Sequence, residues 1–518
     1  MEYACLPFEA THAFSSIFLD YITQKPALRD FYNLAPTIEN FRQVLENKQF
    51  DTEKRQNLVN ELKKQYANVG ITPSQPIEML LQPNTFTVTT GHQLCLYTGP
   101  MYFVYKILTT IRLAEELKKK YPTYNFVPIF WLASEDHDFE EINHFHLFGQ
   151  KITWESTQKG AVGRFKTDEL AEVFAQMQER LPDWETLYLT SKNLSEATIQ
   201  LVHTLFGKYG LLTLDADNEA LKRSLGEVIK RDIFEQASFK AVSQTNEQLI
   251  KAGYKPQVNP REINFFYLLD GFRERIAAQE GGFKTAQGEY TFSNQTLQIE
   301  AIEYPERFSP NVLLRPIYQE MILPNLAYIG GPGELAYWLQ FKTLFETYNL
   351  QMPILFPRNF GLIIQKTVGK KIAKLGLSLE ELFLPEAEQK AKIIAQTTGE
   401  AISLDVQRNE IEKTFQTIVQ EAEHWDKTLV ASIDAEKHKA LKSLENLEKR
   451  LRKAQEIKAD TELKQLASVR DKIFPQGNLQ ERHDNYLNFS LNNSTVLDTI
   501  YQTIEPFNYQ LYLWQEAQ

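Results

Sequence analysis

Cysteine is scarce in this chain: Cys5 and Cys95 are the only two in 518 residues, and neither sits in a CxxC or zinc-type spacing. A disulfide framework and a cysteine-rich metal site are both excluded on that count. Long apolar runs are absent as well. The most apolar stretch, "FVPIFWLA", is far too short to cross a bilayer, and "MEYACLPFEATHAF" lacks the basic and apolar regions of a secretory signal. No Walker A sequence occurs, which disfavours a P-loop ATPase. Positive charge is not in excess either: the net charge of -11 argues against non-specific binding to nucleic acid or to an anionic membrane. A cytoplasmic protein with no nucleic-acid or membrane partner is expected.

What is present divides by pattern. The length exceeds what one hydrophobic core serves, so more than one unit is expected. Residues 1–80 read mainly as helices packed on the body. From 85 the pattern changes: "TFTVTT" is a strand by its β-branched content, and Met101, Val104, Leu108, Ile111 and Ala114 then recur at helical spacing behind Pro100. "NFVPIFWLA" follows as a strand apolar on both faces, which completes a βαβ unit. Further short strands are expected at "GLLTLDAD", "INFFYLLD", "NVLLRPIYQ", "LAYIG" and "MPILFPR". Residues 81–379 therefore predict an open, doubly wound α/β core. Hairpin insertions are expected where polar and apolar residues alternate around glycines, at 151–167 and 281–304, within interruptions near 151–200 and 271–304.

After about 380 the composition changes again. Ile411, Phe415, Ile418, Ala422, Trp425 and Leu429 recur at four- and three-residue steps, and Leu444, Leu447, Leu451 and Ala454 resume the rhythm. No Pro or Gly occurs from 400 to 474. Residues 380–480 thus predict an α-helical coiled-coil arm with a break near "SIDAEKHK", and 481–518 return to the core. Such an arm must bury its seam within the chain or against a second subunit, and a homodimer built on it is favoured.

In open α/β sheets ligands bind beyond the carboxyl ends of the strands. That rule selects three stretches. The first is Gly91-His92-Gln93, where a glycine permits close approach, a histidine suits proton transfer or phosphate contact, and an amide both donates and accepts. The second, "SEDHDFEE", gathers Ser134, Glu135, Asp136, His137, Asp138, Glu140 and Glu141. So many carboxylates need a compensating partner, either an amine-bearing substrate or Mg²⁺. His137, His144 and His146 match no standard zinc spacing, and no metal is assigned. The third, "GGPGE", places Gly330, Gly331 and Gly333 before a helix, suited to a phosphate or carboxylate. Although "GPGELA" fits the dinucleotide fingerprint, the acidic residue expected after the next strand is missing, because "PILFPRN" ends in Arg358 and Asn359. Lys106, Arg315, Arg358 and Asn359 complete the expected substrate-binding set, the arginines as partners for a carboxylate. Cys95, among apolar neighbours, reads as a small buried hydrophobe.

Taken together, "TTGHQLCLYTGPMYFVYKI", "WLASEDHDFEEINH", "LLRPIYQEMILPNLAYIGGPGELAYW", "PILFPRN" and "FPQGNLQER" resemble the BshC family, the cysteine ligases of bacillithiol biosynthesis. The resemblance covers essentially the full length. It implies a Rossmann-like core similar to that of nucleotidylyltransferases and class I aminoacyl-tRNA synthetases, with inserted connecting segments and a coiled-coil domain used for dimerisation. It also implies a reaction joining L-cysteine to the amino group of glucosaminyl-malate. His92, Gln93, Asp136, His137 and Asp138 are the expected catalytic set, and Gly91, Ser134 and Glu135 join the basic residues in binding substrate. No tightly bound cofactor is expected. One histidine stands where the synthetases have two, and no lysine-rich second signature is found, so ATP or another nucleotide stays open as the activating cosubstrate. The competing readings are a nucleotidylyltransferase or NAD(P)-dependent enzyme on the same fold, and a non-enzymatic coiled-coil scaffold.

Overall fold

The computed structural model describes residues 1–72, 75–399 and 402–516. Its centre is a five-stranded, wholly parallel sheet: β1 (Thr85–His92), β2 (Asn125–Leu132), β3 (Leu212–Asp215), β4 (Asn325–Gly330) and β5 (Ile354–Pro357). They lie in the order β3-β2-β1-β4-β5. That is the Rossmann order, with its reversal point between β1 and β4.

The residue types explain the layering. Alternate side chains of β2 enter different cores, Val127, Ile129 and Trp131 on one face and Phe130 and Leu132 on the other. A strand covered on both faces can be apolar throughout. In β1 the polar positions are threonines whose hydroxyls are satisfied inside the sheet: Thr89 donates to Asn325 Oδ1 at 2.8 Å and Thr90 to the Ile329 carbonyl at 2.9 Å. Helix α1 (Tyr102–Lys120) crosses from β1 to β2, burying Phe103, Val104, Ile107, Leu108 and Ile111. Lys118, Lys119 and Lys120 close its last turn, where the helix dipole favours positive charge.

Several expected elements take another form. "INFFYLLD" supplies a strand, Phe265–Leu269, but of a separate antiparallel sheet with Phe272–Gln279, Gly282–Thr285, Thr291–Phe292 and Phe308–Pro310. "NVLLRPIYQ" is no strand. Asn311 Oδ1 accepts the N–H groups of Leu313 and Leu314, and this turn starts helix α2 (Arg315–Ile322), with Pro316 in its first turn. The apolar run simply faces inward from a helix. The hairpin expected in 151–167 uses upstream residues instead, His144–Leu147 against Gln150–Thr153. In 281–304 the hairpin is followed by a helix, Asn294–Glu303.

Residues 1–80 are mainly helical as expected, but open with a strand. Glu2–Pro7 runs antiparallel to Gln510–Gln515, which runs parallel to Phe360–Ile364. The sheet ties both ends of the chain to the exit of β5. Gly361 is obligatory there, since a Cβ would stand 2.0 Å from Trp514 Cζ3.

The arm is a helical hairpin. Its helices are α4 (Asp405–Trp425) and α5 (Val430–Lys458), numbered after α3 (Pro332–Trp338); α6 (Asp460–Ile473) leads back to the body. Arg408 near the start of α4 lies 3.6 Å from Glu448 late in α5, so the two run antiparallel. The turn falls at Asp426–Leu429, upstream of "SIDAEKHK", because Asp426 caps the next turn by accepting the Thr428 N–H at 2.9 Å. Trp425, Leu429, Leu447, Leu451 and Ile457 stay exposed. Residues 400 and 401, at the start of the expected arm, lie outside the described residues. Among those described, no helix is long and apolar enough to cross a membrane.

Candidate functional site

Because all five strands are parallel, their carboxyl ends meet on one rim. There a cleft of about 1060 Å³ is lined by residues at or just past the end of each strand: Gly91 and His92 closing β1 with Gln93 after them, Ser134 to Asp138 after β2, Asp217 after β3, Gly331 to Glu334 after β4, and Arg358 after β5. The antiparallel insertion supplies a further wall with Phe266, Arg273 and Arg275. Gly91, His92, Gln93, Lys106, Ser134, Glu135, Asp136, His137, Asp138, Arg315, Gly331, Gly333 and Arg358 all line this cleft.

Gln93 and Asp136 join the first two stretches. The amide of Gln93 donates to Asp136 Oδ2 at 2.8 Å. Asp136 Oδ1 accepts the backbone N–H of His137 at 2.7 Å and lies 3.7 Å from Arg273 Nη1. Burial alone would raise this carboxyl. His137, Arg273 and Gln93 outweigh it and hold the group far below the ordinary aspartate value. Asp136 is thus a permanent anion and a poor base. Arg273 Nη1 also lies 2.6 Å from His137 Nδ1.

His92 is packed between the rings of Tyr102 and Phe103, at 5.2 and 5.4 Å. Desolvation, helped by the Lys106 ammonium, lowers its titration to about 4. The ring is neutral at pH 7, with Nδ1 donating to the Gln93 carbonyl at 2.9 Å and Nε2 unprotonated.

The basic residues are less available than their types suggest. Lys106 is buried and donates to the Gly91 carbonyl at 2.5 Å and to both oxygens of Glu334 at 2.9 and 2.8 Å. Burial would raise the Glu334 carboxyl, but Lys106, the Gly331 N–H and Tyr328 hold it down to about 2. Arg358 is closed by a two-pronged pair with Glu481, at 3.0 and 2.5 Å. Arg315 differs. It opens α2 rather than ending a strand, and its guanidinium lies 5.1–5.8 Å from the rings of Tyr328, Trp131 and Trp338. Its polar contact is to Gln319 Oε1 at 3.0 Å, its Nη2 is buried without a hydrogen bond, and among the described residues no carboxylate pairs with it.

Three further expectations are corrected by packing. Asn359 does not reach the cleft: it is buried, bonded through Oδ1 and its backbone N–H to Thr109 and through Nδ2 to the Glu505 carbonyl. Gly330 is the last residue of β4 and does not line the cleft. The Gly331 N–H, offered above to a phosphate, is donated to Glu334 Oε2 at 2.9 Å. That carboxylate occupies the start of α3, where a dinucleotide's pyrophosphate would need to lie.

Beneath the acidic loop, Ser134 donates to Asp215 Oδ1 at 2.5 Å. Glu135 forms an ion pair with the fully buried Lys222, which also reaches Asp217 at 3.2 Å. Burial nevertheless pushes Glu135 up to about 7, because desolvation outweighs the neighbouring ammonium. His144 and His146 stand away from the cleft wall, and among the described residues no three His, Cys, Asp or Glu side chains are grouped to hold a metal ion. Sequence reasoning missed Arg273, Lys222, Asp217 and Glu481, which reach the site through the insertion, the turn and short helix after β3, or the C-terminal segment. The quoted "FPQGNLQER" held a signal for Glu481 but no geometry.

Two family models match the chain: "Bacillithiol biosynthesis BshC, N-terminal Rossmann-like domain" over residues 1–359, and "Bacillithiol biosynthesis BshC, C-terminal coiled-coil domain" over residues 361–515. The chain belongs to the BshC family. Relatives named "Putative cysteine ligase BshC" include that of Cytophaga hutchinsonii, 43% identical over 503 residues and 96% of each chain. That of Flavobacterium johnsoniae is 42% identical over 97% of each, and that of Salinibacter ruber 32% identical over 93% of this chain and 92% of its own. The fold is accordingly the BshC combination of a Rossmann-like domain and a coiled coil, and the chain is an enzyme of a ligase family in bacillithiol biosynthesis. The scaffold reading falls away.

Proposed function

We propose that this protein joins L-cysteine to the amino group of glucosaminyl-malate, forming bacillithiol through an activated cysteine carboxylate. The observation that carries the reading is the convergence of His92, Gln93, Asp136 and an unpaired Arg315 on one cleft. An amide does not form from a free carboxylate and amine in water without activation. With ATP as cosubstrate, the carboxylate oxygen attacks a phosphorus atom and expels pyrophosphate or ADP. The glucosamine nitrogen then attacks the acyl carbon, a C–N bond forms, the amine loses a proton, and AMP or phosphate departs.

The chain's residues divide this work by their charge. Asp136, a permanent anion, binds the incoming ammonium rather than deprotonating it. Glu135, titrating near neutrality, is the better acceptor for the proton. Arg315 holds a carboxylate that does not react, such as those of the malate unit, because a carboxylate locked in an arginine pair is a poorer nucleophile. His92 steadies the charge of the activating group.

The direct test is to incubate the purified protein with cysteine, glucosaminyl-malate and ATP and to search by mass spectrometry for the thiol product together with AMP or ADP. Product with neither nucleotide would retire ATP as activator, and no product under any nucleotide would retire the ligase reading.

The arm is proposed to pair between two chains. Its support is that the internal hairpin leaves Trp425, Leu447, Leu451 and Ile457 exposed. Sedimentation should show a dimer, and Leu447→Glu with Leu451→Glu should shift it to monomer without unfolding the body. A wild-type monomer at micromolar concentration would sink this assembly.

A further inference from the structure

Between β1 and α1 the chain takes an expensive path. Tyr97, Thr98 and Gly99 have φ values of 49°, 73° and 60°, three left-handed residues in a row. Glycine adopts this region freely, whereas a tyrosine and above all a β-branched threonine do so at about 1–3 kcal/mol each. Gly99 has no alternative, since a Cβ there would lie 2.5 Å from that of Cys95. The loop is wholly buried, so its carbonyls cannot turn to water.

One side chain meets that need. Asn485, fully buried in the segment that follows the arm, donates its amide to the carbonyls of Tyr97 and Gly99, both at 2.7 Å. Its orientation is fixed from the other end, because Oδ1 accepts the Leu487 N–H at 2.8 Å. The preceding residue adds a third tie, the Met101 N–H donating to the Asp484 carbonyl at 2.8 Å. The loop held in this way leads directly to the site. Upstream are His92 and Gln93, with Cys95 Sγ 3.8 Å from His92 Nδ1. Downstream are Tyr102 and Phe103, which flank the His92 ring, and then Lys106.

We propose that Asn485 is a positioning residue for the cleft: its amide holds the Tyr97–Gly99 loop in its left-handed course and so sets where His92 and Gln93 stand. Without the two hydrogen bonds two buried carbonyls lose their partners and the loop relaxes toward ordinary dihedrals, carrying the imidazole with it. The segment from Gln480 to Asn485 thereby links the root of the arm to the chemistry. Gln480 bonds both backbone groups of Ile363, Glu481 pairs with Arg358, and Asn485 fixes the loop.

The role in turnover rests on the ligase reading above; the behaviour of the imidazole does not, and the experiment measures both. Asn485→Ala, Asn485→Ser and, as a control on the same segment, Asn488→Ala would be compared with wild type below their unfolding midpoints. Asn488 accepts the Phe148 N–H and meets the Asp484 carboxyl, but donates to neither the Tyr97 nor the Gly99 carbonyl. In Asn485→Ala the His92 titration, followed by NMR of labelled imidazole, should move from about 4 toward the ordinary histidine value of about 6.5. Its kcat should fall by about 10²-fold with KM little changed, the cost of misplacing a reacting group by about an ångström. Asn485→Ser, which keeps one donor, should lie between. An unmoved imidazole in a folded Asn485→Ala or Asn485→Ser protein overturns the proposal, and so does an equal movement in Asn488→Ala. A moved imidazole in a protein without ligase turnover would leave the positioning role standing and remove the ligase reading alone.

Discussion

Glu481→Ala is expected to lower stability by about 3–5 kcal/mol, the cost of breaking a buried ion pair from one side. Both partners are 1% exposed, and Arg358 meets Glu481 through Nη1 at 3.0 Å and Nη2 at 2.5 Å. The carboxylate also accepts the Gly361 N–H at 3.0 Å, in the strand where Trp514 leaves no room for a side chain. Truncation therefore strands a guanidinium and a backbone donor together. The Phe360 ring, 4.0 Å from the guanidinium, replaces little of the lost charge interaction. Urea unfolding should show the midpoint moving sharply to lower denaturant. Arg358→Met combined with Glu481→Leu should recover much of the loss, since an apolar pair of similar volume avoids the desolvation cost. A Glu481→Ala protein within about 1 kcal/mol of wild type would mean that water reaches the pair. The C-terminal segment would then be a weaker tie than its burial indicates.

The sequence was most readable where one residue type has one local use. The β-branched run before Gly91, the doubly apolar "NFVPIFWLA" and the helical spacing from Met101 named β1, β2 and α1 directly. Their parallel arrangement then brought His92 and the acidic loop to the same rim. Apolar runs without such signals were ambiguous: "NVLLRPIYQ" has strand composition, but Asn311 and Pro316 turn it into a helix start. Availability of charge was the least legible property. Lys106 in α1, and Arg358 and Arg315, read at strand ends, look alike as basic residues. Only tertiary packing puts Glu334 on the first, Glu481 on the second and no carboxylate on the third among the described residues. Long-range partners of this kind leave no periodicity for a single sequence to reveal.

His92→Ala is expected to reduce turnover by about a hundredfold or more, the usual loss when a group that steadies transition-state charge is deleted. Burial and the Lys106 ammonium both penalise the cation of this imidazole and hold it neutral. An anionic activating group reverses the second influence and favours protonation. On the proposed reaction the ring becomes a charged donor only when there is negative charge to steady, so its effect should fall on the reacting complex and not on free enzyme. That timing separates kcat from KM: the alanine variant should lose rate while its KM for cysteine changes little. Gln93→Ala supplies the comparison. It removes one donor from Asp136 but leaves the His137 N–H at 2.7 Å and Arg273 at 3.7 Å, so the anion persists and the loss should be smaller, about tenfold. Steady-state kinetics on the two variants would check the order. Equal losses would make the Gln93–Asp136 link as important as the imidazole, and a near-native His92→Ala enzyme would leave the activating group to be steadied by Arg315 and Arg273 instead.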